Sequence, residues 1–241
     1  MKQSTDRILT THVGSLPRSE AVTVGIFAIE NEESIDMSAH NSEITSAVDE
    51  VVARQVSVGV DVVSDGEMSK LSYATYIKDR ITGFAGDSPR RAPADLEEHP
   101  SFLERQARSG GTPSYRRPQC VGPIAVKDMD PCQADIDNLA AAIDSHGPHD
   151  AFMNAASPGV IALFQPDNHY GDHETYLHAL AEAMRPEYEA IVQAGYVLQL
   201  DSPDLGLGRH MMFKGRPDAE YEALANVHVE ALNSAVRNID A

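Results

Sequence analysis

The feature that most constrains the fold is a repeated alternation of short apolar runs with longer stretches of helical period. The runs, rich in Val, Ile and Leu, fall at residues 8–13, 60–65, 119–126, 151–156 and 196–201. Helical period appears between and after them, at residues 42–58, 135–143, 173–194 and 218–236. This order is typical of parallel β-α-β units, so the sequence predicts an α/β protein with about five strand–helix units.

The predicted architecture is a TIM-type (β/α)8 barrel in a single domain over residues 1–241. A closed barrel of this type needs about eight units, so we expect an incomplete one. Residues 86–118 are crowded with Pro, Gly, Arg and Ser and lack an apolar period, which indicates an inserted loop or lid. Because an open sheet exposes strand edges and apolar surface, we expect a homo-oligomer or a complementing chain.

Charge and apolar patterning exclude several classes of partner. The formal net charge of -18, from 37 acidic and 19 basic residues, would repel a nucleic-acid backbone. No apolar run approaches the length of a membrane span, and the N-terminal residues lack the apolar core of a signal peptide, so we expect a cytoplasmic protein without a membrane partner. Cys120 and Cys132 are too far apart for a Cys-x-x-Cys motif and are interpreted as buried, reduced thiols.

Polar or Gly-Pro signatures follow each predicted strand. They are His12-Val13-Gly14-Ser15, Asp65-Gly66-Glu67, Gly122-Pro123, Ser157-Pro158-Gly159 and Asp201-Ser202-Pro203-Asp204. The carboxyl ends of barrel strands converge on the face that holds the active site, so we expect Asp65, Glu67 and Asp201 to surround one pocket. Three carboxylates there favour a ligand with an ammonium group, or a metal. The alternative for each residue alone is that it caps the next helix or turns the chain.

Several of these motifs resemble the catalytic barrel of the cobalamin-independent methionine synthases. Residues 11–18, Thr-His-Val-Gly-Ser-Leu-Pro-Arg, are similar to that family's Ile-Gly-Ser-Phe-Pro entry strand. Gly66-Glu67, followed by Tyr76 and Gly83-Phe84, matches its His-Gly-Glu segment. Gly122-Pro123-Ile124 resembles its Gly-Pro-Val, and residues 199–203 resemble its Gln-Ile-Asp-Glu-Pro. The likeness covers nearly the whole chain in the right order.

The resemblance implies a set of substrate-binding residues. In the family, the Gly-Ser strand end, through Val13 and Ser15 here, holds the homocysteine carboxylate, while Glu67 and Asp201 match carboxylates that bind its amino group. His12 and Arg18 are further candidates for substrate binding, with a strand cap and a solvated loop charge as their alternatives. Two carboxylates around one ammonium group would orient the amino acid through charge-assisted hydrogen bonds. No residue is singled out as catalytic.

The implied reaction is transfer of a methyl or alkyl group from a methylfolate-like donor to a small thiol such as homocysteine, an S-methyltransferase activity of the methionine-biosynthesis type. It uses no cobalamin, and zinc is expected to activate the thiol as a thiolate. The family's zinc ligands follow the last predicted helix, where this sequence ends, so no metal ligand is assigned. Alternatives are a catalytically incomplete thiol- or amino-acid-binding fragment, a related alkyl-thiol transferase, or a porphyrinogen decarboxylase relative.

One departure bears on the substrate. Ser202 stands where the family motif has Glu, which points to a relative of methionine synthase rather than to the methionine-forming enzyme itself.

Overall fold

The computed structural model describes residues 4–88, 94–108, 116–147 and 150–240. Its five strands are β1 (Val62–Val63), β2 (Phe84–Ala85), β3 (Gln119–Cys120), β4 (Asp150–Ala156) and β5 (Val197–Asp201) within those ranges. Its helices are α1 (Glu20–Glu30), α2 (Met37–Ser57), α3 (Ala94–Glu97), α4 (Pro100–Arg108), α5 (Asp130–His146), α6 (Pro158–Phe164), α7 (His173–Gln193), α8 (Asp204–Leu207) and α9 (Asp218–Ala235). The predicted α/β class is therefore confirmed, whereas the barrel closure and the unit count stay predictions.

One sheet has the strand order β1-β4-β5. Strands β1 and β4 are parallel, with Val62 opposite Asp150 and Val63 opposite Ala151. The predicted first strand, residues 8–13, contributes one parallel bridge between Thr11 and Val62. A longer ladder does not form there because the Asp61 carboxylate accepts the Thr10 backbone N–H at 2.8 Å.

The third predicted strand departs from the parallel pattern. Of residues 119–126, only Gln119–Cys120 forms a strand, and it pairs antiparallel with Phe84–Ala85. Gly122 and Pro123 follow one residue after this strand, and proline has no backbone N–H to donate to a ladder. The Gly-Pro signature therefore ends an antiparallel strand and does not mark the carboxyl end of a parallel barrel strand.

Capping side chains explain where the helices begin. Asp36 caps α2 by accepting the Ala39 N–H at 3.0 Å, so this helix starts five residues before its apolar stripe predicts. Five of the described helices were not predicted from the sequence: α1, α3, α4, α6 and α8. Two of them, α1 and α6, carry clear capping signals. Each begins after a serine that caps it, Ser19 and Ser157, and Pro158 occupies the first turn of α6.

The chain divides into two compact units, each with its own buried side chains. The first comprises Met1–Tyr76, Asp128–Ala155 and Pro186–Leu200, and the second comprises Ile77–Lys127, Ala156–Arg185 and Asp201–Ala241. Fully buried apolar residues of the first unit include Val52, Val63, Leu139, Met153 and Ile191. Those of the second include Val160, Ile161, Tyr176, Leu177 and Leu180.

The structure describes only part of the predicted lid. Helices α3 and α4 lie inside residues 86–118, while residues 89–93 and 109–115 fall outside the described ranges. A lid role for this segment stays a prediction. Among the helices that are described, none is long and apolar enough to cross a bilayer.

Candidate functional site

The turn after β1 is the most constrained part of the first unit. Gly66 and Glu67 both have left-handed backbones, with φ of 63° and 58°. Glycine adopts this conformation freely, but for a glutamate it costs on the order of 1 kcal/mol or more. The Asp65 carboxylate stabilises the turn by accepting the Glu67 N–H at 2.9 Å. Such strain is found most often where a side chain must be aimed at a ligand.

The Glu67 carboxylate is held on both of its oxygens. Ser15 Oγ donates to Oε2 at 2.5 Å, and Asn154 Nδ2 donates to Oε1 at 2.7 Å. Only 3% of Glu67 is exposed. A buried carboxylate with a neutral donor on each oxygen is fixed in orientation and still keeps lone pairs for a further donor. The structure thus brings two of the predicted site residues, Ser15 and Glu67, into direct contact.

Arg18 supports the same turn from its backbone side. Its guanidinium donates to the Glu67 carbonyl at 2.7 Å and to the Lys70 carbonyl at 2.6 Å. Burial lowers the pKa of Arg18, which the Glu67 and Asp65 carboxylates oppose. The Arg18 Nε atom is buried without a hydrogen-bond partner among the described atoms. Arg18 therefore holds the turn, and a contact with substrate stays a prediction.

The remaining two candidates of the first unit lie on the segment before Ser15. Val13 is 59% exposed. His12 has its Nε2 atom buried, and within the described part of the chain that atom has no hydrogen-bond partner. A ligand that bound at this segment could satisfy the His12 nitrogen, but the substrate contacts of His12 and Val13 stay predictions.

Two residues around Glu67 were not predicted from the sequence. Asn154 lies in the middle of the apolar strand β4, and Lys70 follows the Glu67 turn with only 2% of its surface exposed. Lys70 Nζ donates to the Asn154 carbonyl at 2.8 Å and lies 5.0 Å from the centre of the Tyr76 ring. The sequence did contain a signal for Asn154, which is an amide in an otherwise apolar strand. Because buried polar groups require partners, such an amide indicates a hydrogen bond to another polar side chain or backbone group.

The Asp65 carboxylate is buried behind the turn. Burial raises the pKa of Asp65, while the Lys70 ammonium lowers it and the Asp135 and Glu67 carboxylates raise it further. Its hydrogen bond to the Glu67 N–H gives Asp65 a role in shaping the turn. That role fits the capping alternative better than direct contact with a ligand.

Asp201 belongs to the second unit, where it is the last residue of β5. Its carbonyl accepts the Ser157 N–H at 3.1 Å. The next residue, Ser202, has a buried Oγ atom that has no hydrogen-bond partner in the described structure. A buried hydroxyl without a partner is uncommon and marks a place where a ligand group could bind. The predicted meeting of Ser15, Glu67 and Asp201 at one pocket stays a prediction.

The family resemblance implies zinc, which proteins bind through Cys, His, Asp or Glu side chains. These residues contain no group of three or more His, Cys, Asp or Glu side chains arranged to hold a metal ion. Cys120 donates to the Gly122 carbonyl at 3.4 Å, and burial raises the pKa of its thiol to about 11. Cys132 is buried in α5. Since zinc binds thiolates, the protonated thiol of Cys120 does not fit a zinc site.

Comparison with known proteins gives consistent matches. A family model described as "Cobalamin-independent synthase, Catalytic domain" matches residues 8–92. A methionine synthase of Saccharolobus solfataricus is 24% identical over 233 residues, which are 96% of this chain and 60% of that protein. A methionine synthase of Sulfurisphaera tokodaii is 22% identical, covering 96% of this chain and 58% of that protein.

Two solved structures are similar in fold. A B12-independent methionine synthase from Shewanella sp. W3-18-1, in complex with selenomethionine, has a TM-score of 0.67 at 16% identity, covering 96% of this chain and 59% of that one. A putative B12-independent methionine synthase from Listeria monocytogenes has a TM-score of 0.66 at 17% identity, covering 98% and 64%. The chain thus spans about three fifths of the length of the relatives it matches.

Proposed function

This chain is related to the cobalamin-independent methionine synthase family, and on that premise we propose that it binds a homocysteine-like amino acid as the thiol acceptor of a methyl transfer. The Glu67 carboxylate is the proposed partner of the ammonium group of the ligand. One observation carries the proposal: Ser15 and Asn154 hold the two oxygens of a buried carboxylate that follows a strand end with a left-handed backbone.

The chemistry of the Glu67 environment suits an ammonium ligand. An ammonium group has three N–H donors and a full positive charge, whereas a carboxylate offers acceptors only. Charge-assisted hydrogen bonds of this kind are about twice as strong as neutral ones. Because Ser15 and Asn154 already orient Glu67, ligand binding would not carry the entropic cost of ordering that side chain.

The ligand carboxylate is proposed to bind at Val13 and Ser15. A hydroxyl has one proton to donate, and that of Ser15 is directed to Glu67. Backbone N–H groups of Val13 and Ser15 are therefore the proposed donors. His12 and Arg18 each have a buried nitrogen that lacks a partner among the described atoms, which supports an additional acceptor near this segment.

Asp201, in the second unit, is a further proposed substrate-binding carboxylate. The buried hydroxyl of Ser202 supports a polar ligand beside it, since that atom has no partner in the described ranges. The selenomethionine complex of the Shewanella protein supports an amino-acid ligand for this fold. The methyl donor is proposed to be a methylfolate-like molecule, or a related alkyl donor.

The decisive experiment compares homocysteine with 4-mercaptobutyrate, which is homocysteine without the amino group. Calorimetry should give tighter binding of homocysteine to the natural chain, and Glu67→Gln should remove that preference. Loss of one charged hydrogen bond is worth roughly 1.5–3 kcal/mol, so the homocysteine affinity should fall about tenfold or more. Affinity for 4-mercaptobutyrate should be unchanged in Glu67→Gln.

A matched control is Glu43→Gln, an exposed position in α2. It removes the same negative charge at a position outside the Glu67 turn. The affinities for homocysteine and for 4-mercaptobutyrate should both stay unchanged. If the natural chain bound 4-mercaptobutyrate as tightly as homocysteine, the proposed ammonium subsite would be wrong.

A second candidate function is an amino-acid- or thiol-binding protein that does not itself transfer a methyl group. Its support is the Glu67 carboxylate, which Ser15 and Asn154 orient for binding an ammonium group whether or not a methyl group is then transferred. The two functions differ in turnover. Incubation of the protein with homocysteine, methylated folate and added zinc should form methionine if the chain is a methyltransferase, and should leave the thiol unchanged if it only binds.

A further inference from the structure

Four polar side chains of the second unit form a hydrogen-bonded row that the proposed binding site does not use. Ser157 Oγ donates to Asp204 Oδ1 at 2.9 Å, and Asp204 Oδ2 lies 2.7 Å from His228 Nδ1. His228 Nε2 in turn lies 2.8 Å from His173 Nε2. The row thus runs from the start of α6 through α8 and α9 to the start of α7.

The row is buried and closely packed. Ser157, Asp204 and His228 are each no more than 3% exposed. The Phe213 ring lies 5.5 Å from the His228 ring and 5.8 Å from the His173 ring, both edge to face. A Cβ atom on Gly159 would lie 2.0 Å from Asp204 Oδ2, so only glycine leaves room for this carboxylate. Buried polar rows of this kind are stable only when each member is paired.

The hydrogen-bond partners determine the imidazole tautomers. An ionised carboxylate can only accept, so His228 Nδ1 carries the proton that is donated to Asp204. In neutral His228 the Nε2 atom then accepts, and His173 Nε2–H donates to it. Burial, followed by the influence of His228, lowers the pKa of His173 to about 4, which keeps that ring neutral near pH 7.

The row reaches the end of β5 through Ser157. While its hydroxyl donates to Asp204, its backbone N–H donates to the Asp201 carbonyl at 3.1 Å. Residues 201–204, called here the Asp201–Asp204 corner, are therefore held by hydrogen bonds at both ends. The Ser157 backbone bonds the first residue, and the Ser157 and His228 side chains bond the last. His228 is 24 positions beyond Asp204 along the chain.

We propose that His228 is a positioning residue, which holds the Asp201–Asp204 corner and thereby the Asp201 carboxylate in the orientation that a ligand ammonium group requires. This inference rests on the proposed function, because Asp201 is one of the carboxylates proposed there to bind the ligand. Binding groups must be held to within about 0.5 Å of their productive geometry, and a loop corner achieves this only through supporting side chains. His228 supplies that support through Asp204.

The test uses the full chain and compares His228→Asn with His228→Gln. The amide of Asn reaches the position of an imidazole Nδ1 and can still donate to Asp204, whereas the longer Gln reaches toward His173 and leaves Asp204 without its donor. His178→Asn and His178→Gln, at an exposed position of α7, are the matched controls. Both pairs change a histidine to the same two amides, so general effects of substitution cancel.

The first measurement needs no ligand. It is the hydrogen-exchange rate of the Ser157 amide, whose N–H bonds to the Asp201 carbonyl. We expect at least tenfold faster exchange in His228→Gln, a rate close to that of the natural chain in His228→Asn, and no change in the His178 variants. Equal Ser157 exchange in His228→Gln and the natural chain would overturn the inference, whatever the binding data show.

The second measurement is the affinity for homocysteine and for 4-mercaptobutyrate. We expect His228→Gln to weaken homocysteine binding by about tenfold, with little effect on the desamino thiol, and His228→Asn to restore it. An equal loss for both ligands, or no loss for either, would overturn the positioning role. If the natural chain did not prefer homocysteine, the proposed function would fail, while Ser157 exchange would still decide whether His228 holds the corner.

Discussion

Ser15 Oγ lies 2.5 Å from Glu67 Oε2, although 52 positions separate the two residues along the chain. The contact joins the segment before α1 to the turn after β1. Arg18 reinforces it by donating to two carbonyls of the same turn. These hydrogen bonds hold the segment before α1 against the strained turn after β1. They give both the rigidity that recognition of a small charged ligand requires.

Asn154→Leu should destabilise the first unit. Leucine has a similar size, but it leaves the Glu67 Oε1 atom without the donor that Asn154 supplies at 2.7 Å. An unsatisfied buried acceptor costs about 1–3 kcal/mol of unfolding free energy, more when it is charged. Urea denaturation should show this loss. Asn41→Leu, at an exposed position of α2, is the control and should change stability by no more than about 0.5 kcal/mol.

Gly159→Ala should disrupt the buried row of the second unit. The new Cβ would lie 2.0 Å from Asp204 Oδ2 and 2.5 Å from His228 Nδ1, so the Asp204–His228 hydrogen bond must break or the helix must shift. Overpacking of this kind costs about 1–3 kcal/mol, measurable by thermal or urea unfolding. Gly206→Ala has no atom within 4 Å of the added Cβ and should be neutral or slightly stabilising. Equal effects of the two changes would contradict the packing described for Asp204.

His173 should make stability depend on pH. Its pKa falls from 6.5 to about 4 on folding, chiefly through burial and then through His228, with Asp172 and Asp167 opposing. A lowered folded pKa means that the unfolded chain binds the proton more readily, so this contribution is complete above about pH 6.5 and is lost as pH falls toward 4. His173→Gln should lose less unfolding free energy between pH 7 and pH 5 than the natural chain does. Parallel pH curves for the two proteins would refute this.

Cys120 should react slowly with iodoacetamide in the folded protein. Burial raises the pKa of its thiol to about 11, and only the thiolate is nucleophilic. Peptide mapping by mass spectrometry should find little Cys120 alkylation at pH 8 and much faster alkylation after unfolding in urea. A raised folded pKa also means that this group favours folding below about pH 9 and ceases to do so as pH rises through 11. Rapid labelling of the native chain at pH 8 would argue against a buried, protonated thiol.

Much of the element order could be predicted because it depends on local periodicity. Strands β4 and β5 and the helix α7 lie within a residue of their predicted bounds, since each combines a sustained apolar pattern with clear end signals. The predictions failed where one local contact outweighed the pattern. The Asp61 carboxylate accepts the Thr10 backbone N–H, which shortens the first predicted strand. Pro123 ends the third predicted strand.

The sequence by itself determined which residues follow the strands and therefore that Ser15, Glu67 and Asp201 are site candidates. Only the tertiary structure decided that Asn154 and Lys70 support Glu67, and that His228 supports Asp204. The reason is physical. Periodicity reports burial of neighbouring positions, whereas a hydrogen bond between residues 87 positions apart, such as Asn154 and Glu67, depends on the atomic geometry of the folded chain.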